Sequence, residues 1–225
     1  QSAYQIHDED VTAAAVDYFN RLGVRKEKGE IDPFCLTVGF MLPHPPYVAR
    51  SEDFELYREW MTLPEKDEPL SRDLHPHLRW WRQQTGIETV GEGEALRARA
   101  AYWGLVTRLD AMIGQILSAL EENGLAEDTL VIYTSDHGDM LGEHGLWWKH
   151  TFYDESAKVP LILSWPGVIP AGQRCERVVS ALDVTATMLD AVGAPPLPNA
   201  AGKSFFSLIA ESGEPVEWED IALSE

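Results

Sequence analysis

Long apolar stretches are absent from this 225-residue sequence. No run reaches the roughly 18 apolar residues that a membrane-spanning helix needs, so we expect no membrane span. The first residues, Gln1 to Gln5, contain no Met, no basic region and no apolar run, which is not the pattern of a signal peptide. We therefore expect a chain that is entered in the middle. The sequence leaves the compartment open between the cytoplasm and the periplasm or exterior.

Basic residues are scarce as well. The chain has 18 Lys and Arg against 37 Asp and Glu, for a formal net charge of −19. Binding to a nucleic-acid backbone needs clustered Lys and Arg, so the composition argues against nucleic acid as a partner. An anionic substrate would meet the same acidic surface, and it would need a metal or a local cation to bind.

Only two cysteines are present, Cys35 and Cys175. Cys35 lies in an apolar run, which predicts a buried thiol. A single disulfide is neither indicated nor excluded, so the cysteines leave the redox compartment open.

Apolar periodicity predicts helices at 8–22, 94–123 and 183–192, and a short helix at 204–210. Apolar runs predict strands at 33–42, 129–134, 160–165 and 177–182. This order predicts an α/β fold with a mainly parallel sheet flanked by helices. The polar stretch 48–92, with a short helix near 74–84, is too long for a plain connection and is interpreted as an insertion or lid.

Asp136 and His137 directly follow the predicted strand at 129–134. Ligands of open α/β sheets bind beyond the carboxyl ends of the strands, so this is where a site is expected. The carboxylate and imidazole supply one oxygen and one nitrogen ligand for calcium, magnesium or manganese, with zinc or iron also admitted by the imidazole. The alternative is an Asx-type turn beside an ordinary exposed histidine.

Two further residues are candidates for substrate chemistry. His44 follows the predicted strand at 33–42 within a proline-rich turn, where a rigid imidazole can stabilise an oxyanion or protonate a leaving group. Lys149 follows a Leu-Trp-Trp sequence, and a partly desolvated ammonium can bind a tetrahedral anion. The alternatives are a loop histidine packed on Tyr47 and a surface lysine. His144 and His150 are interpreted as groups that support Lys149.

Three segments together resemble a known family. They are 133–162 (YTSDHGDMLGEHGLWWKHTFYDESAKVPLI), 38–47 (VGFMLPHPPY) and 180–193 (SALDVTATMLDAVG). They resemble the type I sulfatases of the alkaline-phosphatase superfamily, and they occur in the order of that family.

The resemblance implies a specific site. Asp136 and His137 match metal ligands, usually for calcium. Lys149 matches the lysine that contacts the sulfate and the nucleophile, and His44 matches the histidine that contacts the sulfate ester and is a candidate proton donor. The implied substrate is a small-molecule or sugar sulfate ester, and the implied fold is a sulfatase-like, mainly parallel sheet between helices.

The sequence also departs from the family. The family's nucleophile is a formylglycine made from a Cys/Ser-x-Pro-x-Arg motif, and neither Cys35 nor Cys175 has that context. The formylglycine and the remaining metal ligands are expected upstream, so residues 1–225 are interpreted as the downstream portion of one catalytic domain, inactive alone. The alternatives are a phosphate or phosphonate monoester hydrolase of the same superfamily and a non-catalytic calcium-binding domain. The oligomeric state is left open.

Overall fold

The computed structural model describes residues 2–64, 75–210 and 217–223. Its helices are α1 (Ala3–Glu27), α2 (Ser51–Glu55), α3 (Pro76–Thr85), α4 (Glu92–Glu122), α5 (Asp154–Ala157), α6 (Ala181–Ala191) and α7 (Phe206–Ile209). Its strands are β1 (Val131–Thr134) and β2 (Leu161–Ser164). The predicted helices are confirmed with shifted ends, and the first residue predicted for α3, Leu74, lies outside the described residues.

The chain divides into two units. The first comprises Gln1–Ala126 and His137–Lys158, and the second comprises Glu127–Asp136 and Val159–Glu225. The first unit therefore holds α1 to α5, and the second holds both strands with α6 and α7.

Helix α1 is capped at its start, and its buried positions recur at helical spacing. The Ser2 hydroxyl accepts from the Gln5 backbone N–H, and the Gln5 side chain accepts from the Ser2 N–H. Its buried face packs on α4. Gly23 allows a close approach at this contact, since an added Cβ would lie 2.0 Å from the side-chain oxygen of Asn123 and the Asn123 side chain would have to move.

Helix α4 carries the core of the first unit. Its buried apolar positions recur at helical spacing and include Leu105, Leu109, Met112, Ile116 and Leu120. The helix stops where predicted, because Gly124 adopts a left-handed φ of 64° just beyond the cap. No helix in the described ranges combines the length and the apolar character that spanning a bilayer requires.

The second unit contains a two-stranded sheet, and its pairing does not show the expected mainly parallel topology. Strands β1 and β2 pair antiparallel, with Val131 opposite Ser164 and Thr134 opposite Leu161. The expected parallel sheet is thus not found within the described residues. Parallel neighbours need a long crossover connection, whereas the only α-helix between these strands is the four-residue α5.

Two of the four predicted strands are wrong, as is the buried state of Cys35. A strand forms when a neighbour pairs with its backbone, and no described segment pairs with 33–42 in that way. In that segment Cys35 is exposed. The segment 177–182 instead leads into α6, because Ser180 caps the helix. The Asp220 carboxylate accepts from the Val178 N–H, and the Trp218 indole N–H donates to the Val178 carbonyl.

Asp183 joins the start of α6 to the backbone of Lys203, and we predict that its removal lowers stability. The buried carboxylate accepts from the Ser180 N–H at 2.8 Å and the Lys203 N–H at 2.8 Å. We expect Asp183→Ala to lower the free energy of unfolding by about 2–4 kcal/mol, because a cap and a buried charge-assisted hydrogen bond are lost together. Denaturant unfolding measures this change.

Thr185→Ala is the matched control, because Thr185 lies on the exposed face of the same helix. It should change the free energy of unfolding by less than about 0.5 kcal/mol. Equal effects of the two substitutions would show that the Asp183 carboxylate does not hold this segment.

Candidate active site

His44 and Lys149, predicted from widely separated segments, lie side by side in the first unit. Lys149 Nζ lies 3.1 Å from His44 Nε2. His44 Nδ1 lies 2.8 Å from the carbonyl oxygen of Pro45, which accepts from it. The imidazole is therefore the tautomer with its proton on Nδ1, and its Nε2 lone pair accepts a hydrogen bond from the Lys149 ammonium.

The lysine is held by a compact loop, residues 139–150, that is anchored in the core. Met140 and Leu146 are fully buried, and Trp147 is also buried in the same cluster. Within the loop, the Met140 N–H donates to the Trp148 carbonyl at 2.7 Å. The loop also holds four non-glycine residues at left-handed φ: Leu141, His144, Trp148 and His150. Such backbone is costly and persists where packing imposes it, so Lys149 is held in a defined position.

His137 lies next to this pair. Its ring centroid lies 6.4 Å from that of His44, at an interplanar angle of 63°. His137 Nδ1 lies 2.8 Å from the Gly138 carbonyl oxygen, which accepts from it. Fixing the proton on Nδ1 presents Nε2 as the ligand nitrogen, which is the arrangement of metal-binding histidines in proteins.

Gly138 allows the chain to turn tightly after His137. A Cβ at this position would lie 2.0 Å from the Glu155 carbonyl oxygen, and the Gly138 N–H donates to the Ser156 carbonyl at 2.8 Å. The close approach of α5 therefore requires glycine here.

Asp136, the second predicted metal ligand, belongs to the second unit, where it follows β1. Its carboxylate is exposed, and the Ser135 hydroxyl lies 3.4 Å from its Oδ1. Taken separately, Asp136 offers a carboxylate oxygen and His137 an imidazole nitrogen, and both are ligand types that divalent cations accept. Within 2–64, 75–210 and 217–223, no three His, Cys, Asp or Glu side chains gather as such a set.

Asp139, two residues after His137, accepts a hydrogen bond at each of its carboxylate oxygens. Its Oδ2 accepts from the Tyr47 hydroxyl at 2.7 Å, and its Oδ1 accepts from the Leu141 N–H at 3.0 Å. Burial and the neighbouring carboxylate raise the pKa of Tyr47 well above its usual range. The phenol thus remains a hydrogen-bond donor at any working pH.

Trp81 of α3, in the predicted lid, contacts the loop 139–150 that carries Lys149. The Trp81 ring contacts His150 at a centroid distance of 4.5 Å and meets Trp148 edge-on at 5.9 Å. Partial burial and the adjacent Lys149 charge lower the pKa of His150. A neutral His150 adds no positive charge beside Lys149. His144, the other flanking histidine, stacks on Tyr153 at 4.1 Å.

One residue of this region was not anticipated from the sequence. Asp8 on α1 is fully buried, and its carboxylate accepts from the backbone N–H groups of Met41 and Leu42. The signal was available, because Asp8 shares its helical face with Thr12 and Ala15, which are also buried. A carboxylate on a buried face needs hydrogen-bond partners, so its position alone predicts a structural role.

Comparisons with known proteins assign the chain to a family. A family model described as Sulfatase matches residues 1–194. Choline-sulfatase of Rhizobium meliloti (strain 1021) is 35% identical over 190 residues, which are 83% of this chain and 37% of the relative. Arylsulfatase K of Canis lupus familiaris is 37% identical over 207 residues, which are 84% of this chain and 38% of the relative.

Solved structures are also similar. The phosphonate monoester hydrolase SpPMH from Silicibacter pomeroyi superposes with a TM-score of 0.71 at 30% identity, over 80% of this chain and 38% of that chain. The fold is therefore that of the sulfatase-like hydrolases of the alkaline-phosphatase superfamily. The chain belongs to the sulfatase family, which confirms the resemblance inferred from its motifs. It spans less than two fifths of the length of either curated relative.

Proposed function

We propose that this chain is the downstream portion of a sulfuric ester hydrolase that cleaves a small-molecule or sugar sulfate ester. The observation that supports this best is the contact between Lys149 Nζ and His44 Nε2 at 3.1 Å, with the His137 ring beside it. It places a cation and an imidazole together in a chain whose net charge is −19. A sulfate ester carries the negative charge that such a cation attracts.

Lys149 and His44 have distinct roles in this proposal. The Lys149 ammonium binds a sulfuryl oxygen and stabilises the charge that develops on it. A substrate oxygen that enters between the two side chains replaces the His44 lone pair as the acceptor of the lysine N–H. In its protonated form, His44 Nε2–H then faces the ester and donates to the leaving alcohol.

Asp136 and His137 are proposed to hold a divalent metal, most readily calcium, with magnesium or manganese as substitutes. Oxygen ligands suit these ions, and the His137 tautomer presents Nε2 for coordination. When bound, such an ion polarises the sulfuryl oxygens, and a formylglycine supplied by another part of the whole protein provides the nucleophile. In the whole protein, β1 and β2 are proposed to join the larger, mainly parallel sheet of the fold.

The segment 48–92 is proposed to be the lid that shapes the leaving-group pocket. Its support is the packing of Trp81 on Trp148 and His150, which flank Lys149. The indole ring thus contacts both sequence neighbours of Lys149, and we propose that it contacts the alcohol part of the ester.

The reaction class is tested with two substrates that share one leaving group. The whole protein is assayed with 4-nitrophenyl sulfate and with the 4-nitrophenyl monoester of phenylphosphonic acid. We expect kcat/KM to be at least about tenfold higher for the sulfate ester, because specificity is set by the ratio of kcat/KM values. The opposite ratio would overturn the sulfatase proposal.

A phosphonate monoester hydrolase is the second candidate. It is favoured by the similarity to the phosphonate monoester hydrolase SpPMH, which is 30% identical to this chain. The same lysine and imidazole can bind a phosphonyl group, which is also a tetrahedral anion. If neither ester is cleaved and no Cys/Ser-x-Pro-x-Arg motif precedes this region, the non-catalytic calcium-binding alternative is supported instead.

A further inference from the structure

His44 lies in an irregular loop, residues 41–47, here called the histidine loop. Three of its seven residues are prolines, which have no backbone N–H. Within the loop, the His44 N–H donates to the Met41 carbonyl at 2.9 Å. A single turn of this kind does not determine where the loop lies in the unit. The position of His44 therefore depends on contacts between the histidine loop and other segments.

The first of these contacts is at the start of the loop. Asp8 Oδ1 and Oδ2 lie 2.9 and 3.0 Å from the Met41 nitrogen, and Oδ2 accepts from the Leu42 N–H at 2.8 Å. Asp8 Oδ1 also lies 2.9 Å from His7 Nδ1. The side chain is fully buried, and a buried carboxylate is strongly unfavourable unless such donors satisfy it. These bonds therefore hold residues 41 and 42 against α1.

The second contact is at the end of the loop. The Tyr47 hydroxyl donates to Asp139 Oδ2 at 2.7 Å. The Tyr47 ring also packs edge-on against Tyr102 at 5.9 Å and lies 6.3 Å from Trp147. Asp139 belongs to the lysine-bearing loop and comes two residues after His137. One hydrogen bond thus joins the segment that carries His44 to the segment that carries His137 and Lys149.

We propose that Asp8 and Asp139 are positioning residues, which fix the histidine loop at its two ends and place His44 Nε2 beside Lys149. Asp8 acts on the backbone of the loop, and Asp139 acts on the Tyr47 hydroxyl. Each acts on the site through another residue. The activity readout rests on the proposed function, whereas the geometric readout does not depend on it.

The test at the first contact uses Asp8→Ala and Asp8→Asn in the whole protein. In Asp8→Ala the Met41 and Leu42 N–H groups lose their acceptor, and the loop shifts. We expect kcat to fall by about 100-fold, the effect of a misplacement of about 1 Å, with KM changed less than about threefold because Lys149 still binds the ester. Asp8→Asn keeps an acceptor oxygen and should recover at least about tenfold of the lost kcat.

Leu22→Ala is the matched control, since Leu22 is a buried residue further along the same helix. It should lower thermal stability as much as Asp8→Ala or more, yet leave kcat within about twofold of the unchanged protein. A purely structural role for Asp8 predicts the same kcat for both variants, and that result would overturn the proposal.

The second contact is tested with Tyr47→Phe, which removes only the hydroxyl. Tyr18→Phe is its control, because it removes a phenol hydroxyl from a partly buried tyrosine of α1 that lies outside the site and the proposed lid. We expect kcat to fall about tenfold in Tyr47→Phe and to stay unchanged in Tyr18→Phe. Equal kcat in these two variants would overturn the role of Asp139.

Crystal structures of the same variants give the readout that is independent of activity. The distance from Lys149 Nζ to His44 Nε2 should exceed hydrogen-bonding range in Asp8→Ala and remain near its original value in Leu22→Ala. If the whole protein fails to cleave sulfate esters, this distance still decides the positioning proposal. If Asp8→Ala does not fold, Tyr47→Phe decides it, and an unmoved His44 in that variant would overturn it.

Discussion

Replacing Lys149 by alanine is expected to lower the turnover of a sulfate ester by the whole protein about 100- to 1000-fold, the loss seen when one preorganised donor to a developing charge is removed. The ammonium is partly buried, contacts His44 and is held by a loop whose core residues are fully buried. Its position is thus set before the substrate arrives. The measurement is kcat and KM with 4-nitrophenyl sulfate.

Lys158→Ala provides the control for charge. Lys158 is an exposed lysine of the same unit, so its removal changes the net charge equally. Its turnover should match that of the unchanged protein, because an exposed lysine outside the site acts only through long-range charge. Near-normal turnover in folded Lys149→Ala protein would remove Lys149 from the site, whatever the effect of the control.

The helices could be predicted from the sequence because their signals are local. Helix α4 has a long apolar period and a glycine at its end, and both features lie within the helix itself. The strands depend on partners elsewhere in the chain. The runs 33–42 and 160–165 are both mainly apolar, yet only the second contains a strand with a paired neighbour. Hydropathy alone does not separate these two cases.

The candidate site was also only partly predictable from the sequence. His44, Lys149, Asp136 and His137 could be named because each lies in a segment that matches the family motifs. The bonds that place them could not be named in advance. Asp8 lies 33 residues before Met41, and Tyr47 lies 92 residues before Asp139. Such pairs are set by tertiary packing, so a single sequence indicates that Asp8 needs a partner without indicating which one.

The second large predicted effect is the loss of calcium affinity when a proposed metal ligand is replaced. Asp136→Asn and His137→Ala should each weaken calcium binding by the whole protein more than about 100-fold, since loss of groups that merely support a ligand already costs 10- to 100-fold. The amide of Asn keeps the shape of the carboxylate and removes its charge. Calorimetric titration with calcium measures the affinity, and turnover at saturating calcium measures what remains of the activity.

Asp154→Ala is the control for general acidity, because Asp154 is an exposed carboxylate of α5 in the first unit. If calcium were attracted only by the acidic surface, Asp136→Asn and Asp154→Ala would weaken binding slightly and equally, and His137→Ala would not weaken it. A specific site predicts loss in the two ligand variants alone. Excess calcium should restore turnover in Asp136→Asn more than in His137→Ala, because the amide oxygen still coordinates a hard cation whereas alanine offers no donor. Full affinity in both ligand variants would place the metal elsewhere.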